Sequence, residues 1–260
     1  MNARATKPTT PIISMRGIVK RFGAIQALKG VDLDLYHGEI LGLVGDNSAG
    51  KSTLMKILTG AYRADAGEIF FEGRPVTIHS PLDSRRLGIE MIYQDFALCG
   101  NLDVSSNIFL GRWPTIRGLV NRKQMEQEAA RVLERMNLFL PSLRLPVETL
   151  SGGRQQAVAI ARALAFNPKV LIMDEPTANL SPNASRRLLE LVSDLRDQGV
   201  SIIIISHRMQ EIFEVGDRIA VLRQGEIVGT LSIAEATEDE VLSLIIAGRR
   251  STPESGHARA

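Results

Sequence analysis

The chain has 260 residues, 44% of them hydrophobic, which is enough apolar side chain for a buried core and too much for a disordered chain. Its 31 basic and 29 acidic residues leave a net charge of +2, too even a balance to argue for a nucleic-acid binder. No apolar run nears the roughly 18 residues of a membrane span, the opening MNARATKPTT lacks the apolar stretch of a secretory signal, and the single cysteine, Cys99, excludes a disulfide framework or a cysteine metal site.

Taken in chain order, residues 1–11 and about 248–260 are polar and read as flexible tails around one domain at 12–247. IISMRGIVKRFG (Ile12 to Gly23) and GVDLDLYHGE (Gly30 to Glu39) alternate apolar and polar residues, the pattern of antiparallel strands with one wet face. EILGLVG (Glu39 to Gly45) is a buried strand, followed by a helix from Lys51; GIEMIYQ (Gly88 to Gln94) is another short strand. Residues about 96–166 carry no strand signal and read as a helical insertion, with a helix over Asn121 to Phe139 capped by Asn121. KVLIMDEP (Lys169 to Pro176) and VSIIIISH (Val200 to His207) are further buried strands, separated by a helix over Asn183 to Asp197. DRIAVLRQGEIVGT (Asp217 to Thr230) predicts a hairpin turning at Gln224-Gly225, and a last helix spans about Glu235 to Ala247. Strand-then-helix alternation predicts an α/β fold, mostly a parallel sheet with helices on both faces.

Three stretches carry chemistry. GDNSAGKST (Gly45, Asp46, Asn47, Ser48, Ala49, Gly50, Lys51, Ser52, Thr53) fits G-x-x-x-x-G-K-[ST] between a strand and a helix. Its backbone N–H groups would wrap a β-phosphate, Lys51 would reach the β- and γ-phosphates, and the Ser52 hydroxyl would ligate Mg²⁺. Asp174 and Glu175 follow four apolar residues, so both carboxylates fall at the carboxyl edge of a buried strand, where open α/β sheets bind ligands. Asp174 suits Mg²⁺ and Glu175 suits a general base for water. The third stretch, LSGGR, opens a helix with Ser151, Gly152, Gly153 and Arg154, a second arrangement of free N–H groups suited to phosphate. Gln94 and His207 end strands at the same sheet edge; each is either a satisfied strand-end residue or a ligand, Gln94 to Mg²⁺ and the γ-phosphate, His207 to the γ-phosphate and the attacking water.

Together these pieces resemble the nucleotide-binding subunit of ATP-binding cassette (ABC) transporters. GDNSAGKST matches its Walker A, Gln94 its Q-loop, LSGGR its signature, VLIMDEP its Walker B, Thr177 to Ser181 its D-loop and His207 its switch histidine, in family order. The resemblance implies a P-loop NTPase of the ABC ATPase fold, with an antiparallel β subdomain and an inserted helical subdomain, that hydrolyses ATP with Mg²⁺. It implies that Phe22 stacks on adenine, the alternative being a core phenylalanine. It implies a head-to-tail homodimer in which Ser151, Gly152, Gly153 and Arg154 bind the partner's ATP.

The stretch Gly88 to Arg112 is similar to monosaccharide importers of the ribose, xylose and fructose type. That likeness implies a peripheral protein on the cytoplasmic face of the inner membrane. Its partners would be transmembrane permease subunits, docked on residues about 95–115, and through them a periplasmic sugar-binding protein. An ABC ATPase for another solute, an amino acid or a lipid, and a non-transport ABC ATPase are the alternatives. Three residues depart from the family pattern: Ser48 where Gly is usual, Arg154 where Gln is usual, and Ser181 where Asp is usual.

Overall fold

The structure, a computed structural model, describes residues 10–93, 97–136, 138–178 and 180–248. Gln94, Asn179 and nearly all of the two expected tails lie outside the described residues.

The chain opens with β1 (Ile13–Phe22) and β2 (Ile25–Leu35), paired antiparallel from Ile13 opposite Leu35 to Phe22 opposite Ile25. A second hairpin, β4 (Ala66–Phe71) and β5 (Arg74–Val76), extends this sheet in the order β2-β1-β4-β5. The larger sheet contains β3 (Ile40–Val44), β6 (Ile89–Ile92), β9 (Val170–Asp174), β10 (Ser201–Ile205), β11 (Arg218–Arg223) and β12 (Glu226–Ser232), ordered β12-β11-β3-β10-β9-β6. Its neighbours are parallel except for the β11–β12 hairpin. Gln224 and Gly225 turn that hairpin with φ of 48° and 84°, the paired positive angles a two-residue turn demands.

Strands β3 and β10 are buried along their whole length because both faces of the sheet are covered. Alternate residues serve different cores. Ile40, Val44, Ile202 and Ile204 join the cluster packed by the later helices. Leu41, Leu43, Ile203 and Ile205 join a second cluster, built with α1 (Lys51–Leu58) and the antiparallel sheet. Truncating one of these side chains to Ala would cost roughly 2–5 kcal/mol. Gly42 is small for a local reason: a Cβ there would collide with Ile212.

Between β6 and β9 lie α3 (Val104–Ile108), α4 (Arg122–Arg135) and α5 (Gly152–Leu164). Asp103 caps α3 by accepting the Ser106 N–H at 2.7 Å, and Asn121 caps α4 by accepting the Gln124 N–H at 3.2 Å. On α4 the buried positions are Met125, Ala129, Val132 and Leu133, the three-to-four spacing of a helix with one core face. The segment nevertheless holds strands: β7 (Thr115–Ile116) and β8 (Leu119–Val120) pair across a turn at Arg117-Gly118. Strands of two residues are too short to show alternation, which is why the sequence pattern misses them.

The remaining helices are α2 (Pro81–Arg86), α6 (Pro182–Asp197), α7 (Met209–Val215) and α8 (Glu238–Ala247). The last starts later than its apolar pattern suggests because Thr237 and Glu240 form a reciprocal cap there. Among the described residues no helix is long and apolar enough to cross a membrane.

Candidate functional site

β3 runs out at Val44 and the chain enters a tight loop before α1. Gly45, Ser48 and Gly50 sit at φ of 148°, 113° and 108°. At two of these positions glycine is required by contact as well as by angle. A Cβ on Gly45 would run into the Leu222 carbonyl, and one on Gly50 would lie 2.8 Å from the Ala27 carbonyl oxygen. Ser48 carries a side chain at an angle that suits glycine, a strain of order 1–3 kcal/mol.

Lys51 is buried, and its Nζ donates to the carbonyl oxygens of Gly45 at 2.7 Å and Asp46 at 2.8 Å, so it ties the loop to the start of α1. Burial holds its pKa below the ordinary lysine value, against the opposing pull of Glu175, Asp174 and Asp46. The adjacent Ser52 Oγ donates to Asp174 Oδ2 at 3.2 Å. Asp174 is pushed above the usual carboxylate range, chiefly by burial and further by Glu175, while the Ser52 hydrogen bond and Lys51 act the other way.

Glu175 follows at φ 51°, its N–H donating to the Ile205 carbonyl at 2.9 Å. That backbone bond to the end of β10 holds a left-handed conformation that few glutamates adopt. Its Oε2 lies 2.7 Å from Nδ1 of His207, whose side chain is otherwise 60% exposed.

These groups enclose a cleft of about 500 Å³ at the carboxyl edge of β3, β9 and β10. Asp46, Asn47, Ser48, Ala49, Gly50, Lys51, Ser52, Thr53, Asp174, Glu175 and His207 line it, joined by Ala27 and Ile205. Neither of the last two carries a polar signal, and Ala27 arrives only because the antiparallel sheet folds over the loop. Gly45 anchors the loop's start through its carbonyl.

Other candidate residues lie elsewhere. Phe22 ends β1, is 43% exposed and meets Tyr62 edge-to-face with centroids 5.4 Å apart. Ser151, Gly152, Gly153 and Arg154 start α5, are exposed, and do not line the cleft. Nothing described lies within 4 Å of a Cβ added to Gly152 or Gly153, and neither has a positive φ. One tie does run between α5 and the cleft: Gln156 is buried and its Nε2 donates to the Pro176 carbonyl, next to Glu175. Among the described residues no three His, Cys, Asp or Glu side chains cluster as a metal cage.

A buried lysine and a serine hydroxyl at a helix N-terminus, facing two carboxylates across a glycine-bent loop, make a site for a phosphate chain and an oxygen-bound cation. The model of the ABC transporter family matches residues 28–178, which hold the loop, the signature and the carboxylate pair. The chain belongs to the ABC transporter family.

Among ABC relatives, the ribose import ATP-binding protein of Escherichia coli O157:H7 is 48% identical over 92% of this chain and 47% of its own length. The chain thus spans about half the length of the ribose relatives it matches. The fructose import ATP-binding protein of Rhizobium meliloti is 43% identical over 94% of this chain and 97% of its own. The ADP conformation of an ABC transporter's ATP-binding cassette superposes with a TM-score of 0.78 at 28% identity, covering 91% of this chain and 95% of the other. A dimeric bacterial ABC transporter cassette superposes with a TM-score of 0.72 at 26% identity, covering 85% and 98%. The fold is therefore that of an ABC cassette, α/β with a mostly parallel core sheet.

Proposed function

We propose that this chain is the ATP-hydrolysing subunit that energises import of a monosaccharide through a separate membrane permease. The observation that carries the hydrolytic half is the convergence of Lys51, Ser52, Asp174, Glu175 and His207 on one cleft. The sugar half is supported by the ribose and fructose import relatives.

ATP would enter with its phosphates along residues 45–53. The loop N–H groups and the positive end of α1 face the β-phosphate, and Lys51 turns from the Gly45 and Asp46 carbonyls to the β- and γ-phosphates. Phe22 and Ile25, 43% and 71% exposed at the β1–β2 turn, offer apolar surface for adenine beside Ala27. The Ser52 hydroxyl and the Asp174 carboxylate are hard oxygen donors already within hydrogen-bond distance, which fits Mg²⁺, and Gln94 would complete the set. Mg²⁺ there would neutralise charge developing between the β- and γ-phosphates. Glu175 takes the proton from the attacking water, and His207, 2.7 Å away, orients that water and the γ-phosphate.

The exposed Ser151–Arg154 face would close on the ATP of a second copy of the chain, giving two equivalent composite sites. Each charge-assisted contact to the γ-phosphate contributes roughly 1.5–3 kcal/mol and is lost on hydrolysis. Closing and opening would drive the permease, docked on residues about 95–115, with a periplasmic sugar-binding protein delivering solute from the far side. The subunit would work at the cytoplasmic face of the inner membrane.

Reconstitution tests this reading. ATP hydrolysis in vesicles holding the chain and its permease should rise when a binding protein loaded with one monosaccharide is enclosed. Stimulation by an amino acid or lipid, and by no sugar, sinks the sugar assignment and leaves the ATPase standing.

A further inference from the structure

We propose that Glu211 is a positioning residue for hydrolysis, a single carboxylate that fixes the His207 loop and the turn after Glu175 relative to each other. The inference rests on the ATPase reading above and adds a residue that does not line the cleft between β3, β9 and β10.

Glu211 lies in the first turn of α7 and points back toward the sheet edge. Its Oε2 accepts from Thr177 Oγ1 at 2.5 Å and from Ser206 Oγ at 3.4 Å, and its Oε1 accepts from the Arg208 guanidinium at 3.1 Å. Ser206 and Arg208 are the two neighbours of His207, and Thr177 stands two residues after Glu175. The Ser206 hydroxyl also accepts the Arg208 N–H at 3.0 Å, closing the loop on itself. One carboxylate therefore holds both sides of the histidine and the chain leaving the general base.

Burial separates this cluster from an ordinary surface ion pair. Thr177 and Ser206 are 1% and 0% exposed, and the Glu211 side chain 12%. A buried carboxylate is stable only with its acceptor sites used, and here three donors from two loops use them. The need for such a tie is visible on the other side. His207 is 60% exposed, so little packing fixes its side chain, and Glu175 sits at φ 51°, held on its N–H side by the Ile205 carbonyl alone. A sparsely populated backbone angle persists only where its surroundings over-determine it. The geometry also explains why the residue is an acid. Glutamine would present an NH₂ group to one of three donors and lose the charge that pairs with Arg208.

The test uses the purified full chain, with steady-state hydrolysis, binding of a non-hydrolysable ATP analogue and thermal melting measured together. Glu211→Ala should lower kcat by about 10- to 100-fold, the scale of an ångström-sized misplacement of a reacting group. Its KM and its analogue affinity should stay within a few-fold of wild type. Thr177→Val should lower kcat in the same direction by less, and Thr177→Ser should restore it.

A wild-type kcat in Glu211→Ala overturns the proposal. So does a kcat loss matched by an equal loss of analogue-binding capacity, because that reports unfolding. If Glu211→Ala fails to fold, the Thr177 pair decides: equal rates in Thr177→Val and Thr177→Ser overturn the proposal, and a deficit in Val alone upholds it. A wild-type protein without ATP hydrolysis, or Glu175→Gln with a wild-type rate, fells the ATPase reading itself. If both of those controls behave and Glu211→Ala is silent, only the positioning role falls.

Discussion

Among the described residues two helix N-termini carry glycine, and they are built in opposite ways. At the start of α1, Gly45 and Gly50 hold positive φ, press against the backbone of Leu222 and Ala27, and leave no room for a side chain. At the start of α5, Gly152 and Gly153 have no positive φ, open space around them and exposed positions. The first pair is explained by the chain's own packing. The second pair is not, although glycine in a helix costs roughly 0.5–1 kcal/mol relative to alanine. A bare helix end that folding does not need is intelligible if something outside the chain approaches it closely, as the nucleotide of a second copy would.

The electrostatics divide the same way. The α1 cleft concentrates a lysine held below its usual pKa, an aspartate held above its own, and strained angles at Ser48 and Glu175. Phosphates beside Lys51 and a cation beside Asp174 would offset the two charge imbalances. At the α5 end no residue from Ser151 to Arg154 has a positive φ.

The sharpest way to break the comparison is Glu175→Gln. Hydrolysis should fall by about 10²- to 10⁴-fold, the range for loss of a general base, while ATP binding persists and a closed dimer accumulates on a sizing column. Hydrolysis at the wild-type rate would remove Glu175 from the reaction.

Next comes a mixing experiment. Lys51→Ala and Ser151→Arg chains should each be inactive alone, and their mixture should recover ATP-dependent dimerisation and hydrolysis through one intact composite site. A mixture as inert as its parents would mean that the two N-termini do not share a nucleotide.

Smaller effects separate folding from function. Gly152→Ala with Gly153→Ala should raise the unfolding free energy of the nucleotide-free chain by about 0.5–1 kcal/mol per site in denaturant titration, and should weaken ATP-driven dimerisation. A stability loss would show that those glycines serve the monomer after all.

In the cleft, Asp174→Asn should stabilise the nucleotide-free, metal-free protein near neutral pH. The sign follows from linkage. A carboxyl whose folded pKa lies above its unfolded one binds the proton more tightly when folded, so wild-type stability falls as pH rises through that range, and the variant should lose this dependence. An unchanged pH profile of the melting temperature would contradict the burial of that charge. Ser48→Gly should add about 1 kcal/mol by relieving its φ of 113°, read in the same melts.

Much of the cleft is legible in the primary structure because its parts are short and local. The loop from Gly45 to Thr53, the apolar run before Asp174 and Glu175, and the run before His207 each announce a strand end with polar groups at its tip. Other features leave no such trace. The β4–β5 hairpin and α7 are too short for their periodicity to stand out. Ala27 and Ile205 enter the cleft wall as ordinary apolar residues. Glu211 reads along the chain as one more acid on a solvated helix.

The sequence by itself determined which residues can grip phosphate, and in what order the strands and helices that carry them occur, because spacing within a loop or one helical turn is a local property. Tertiary structure decided which strand ends stand side by side. The parallel sheet brings Asp174 to Ser52 and His207 to Glu175, residues 122 positions apart in the first pair and 32 in the second. It also left the Ser151 face turned outward from that cleft, since packing against the sheet buries the other side of α5, from Gln156 to Leu164. Contacts between distant segments depend on how layers stack, and no pattern confined to a few neighbouring residues encodes that.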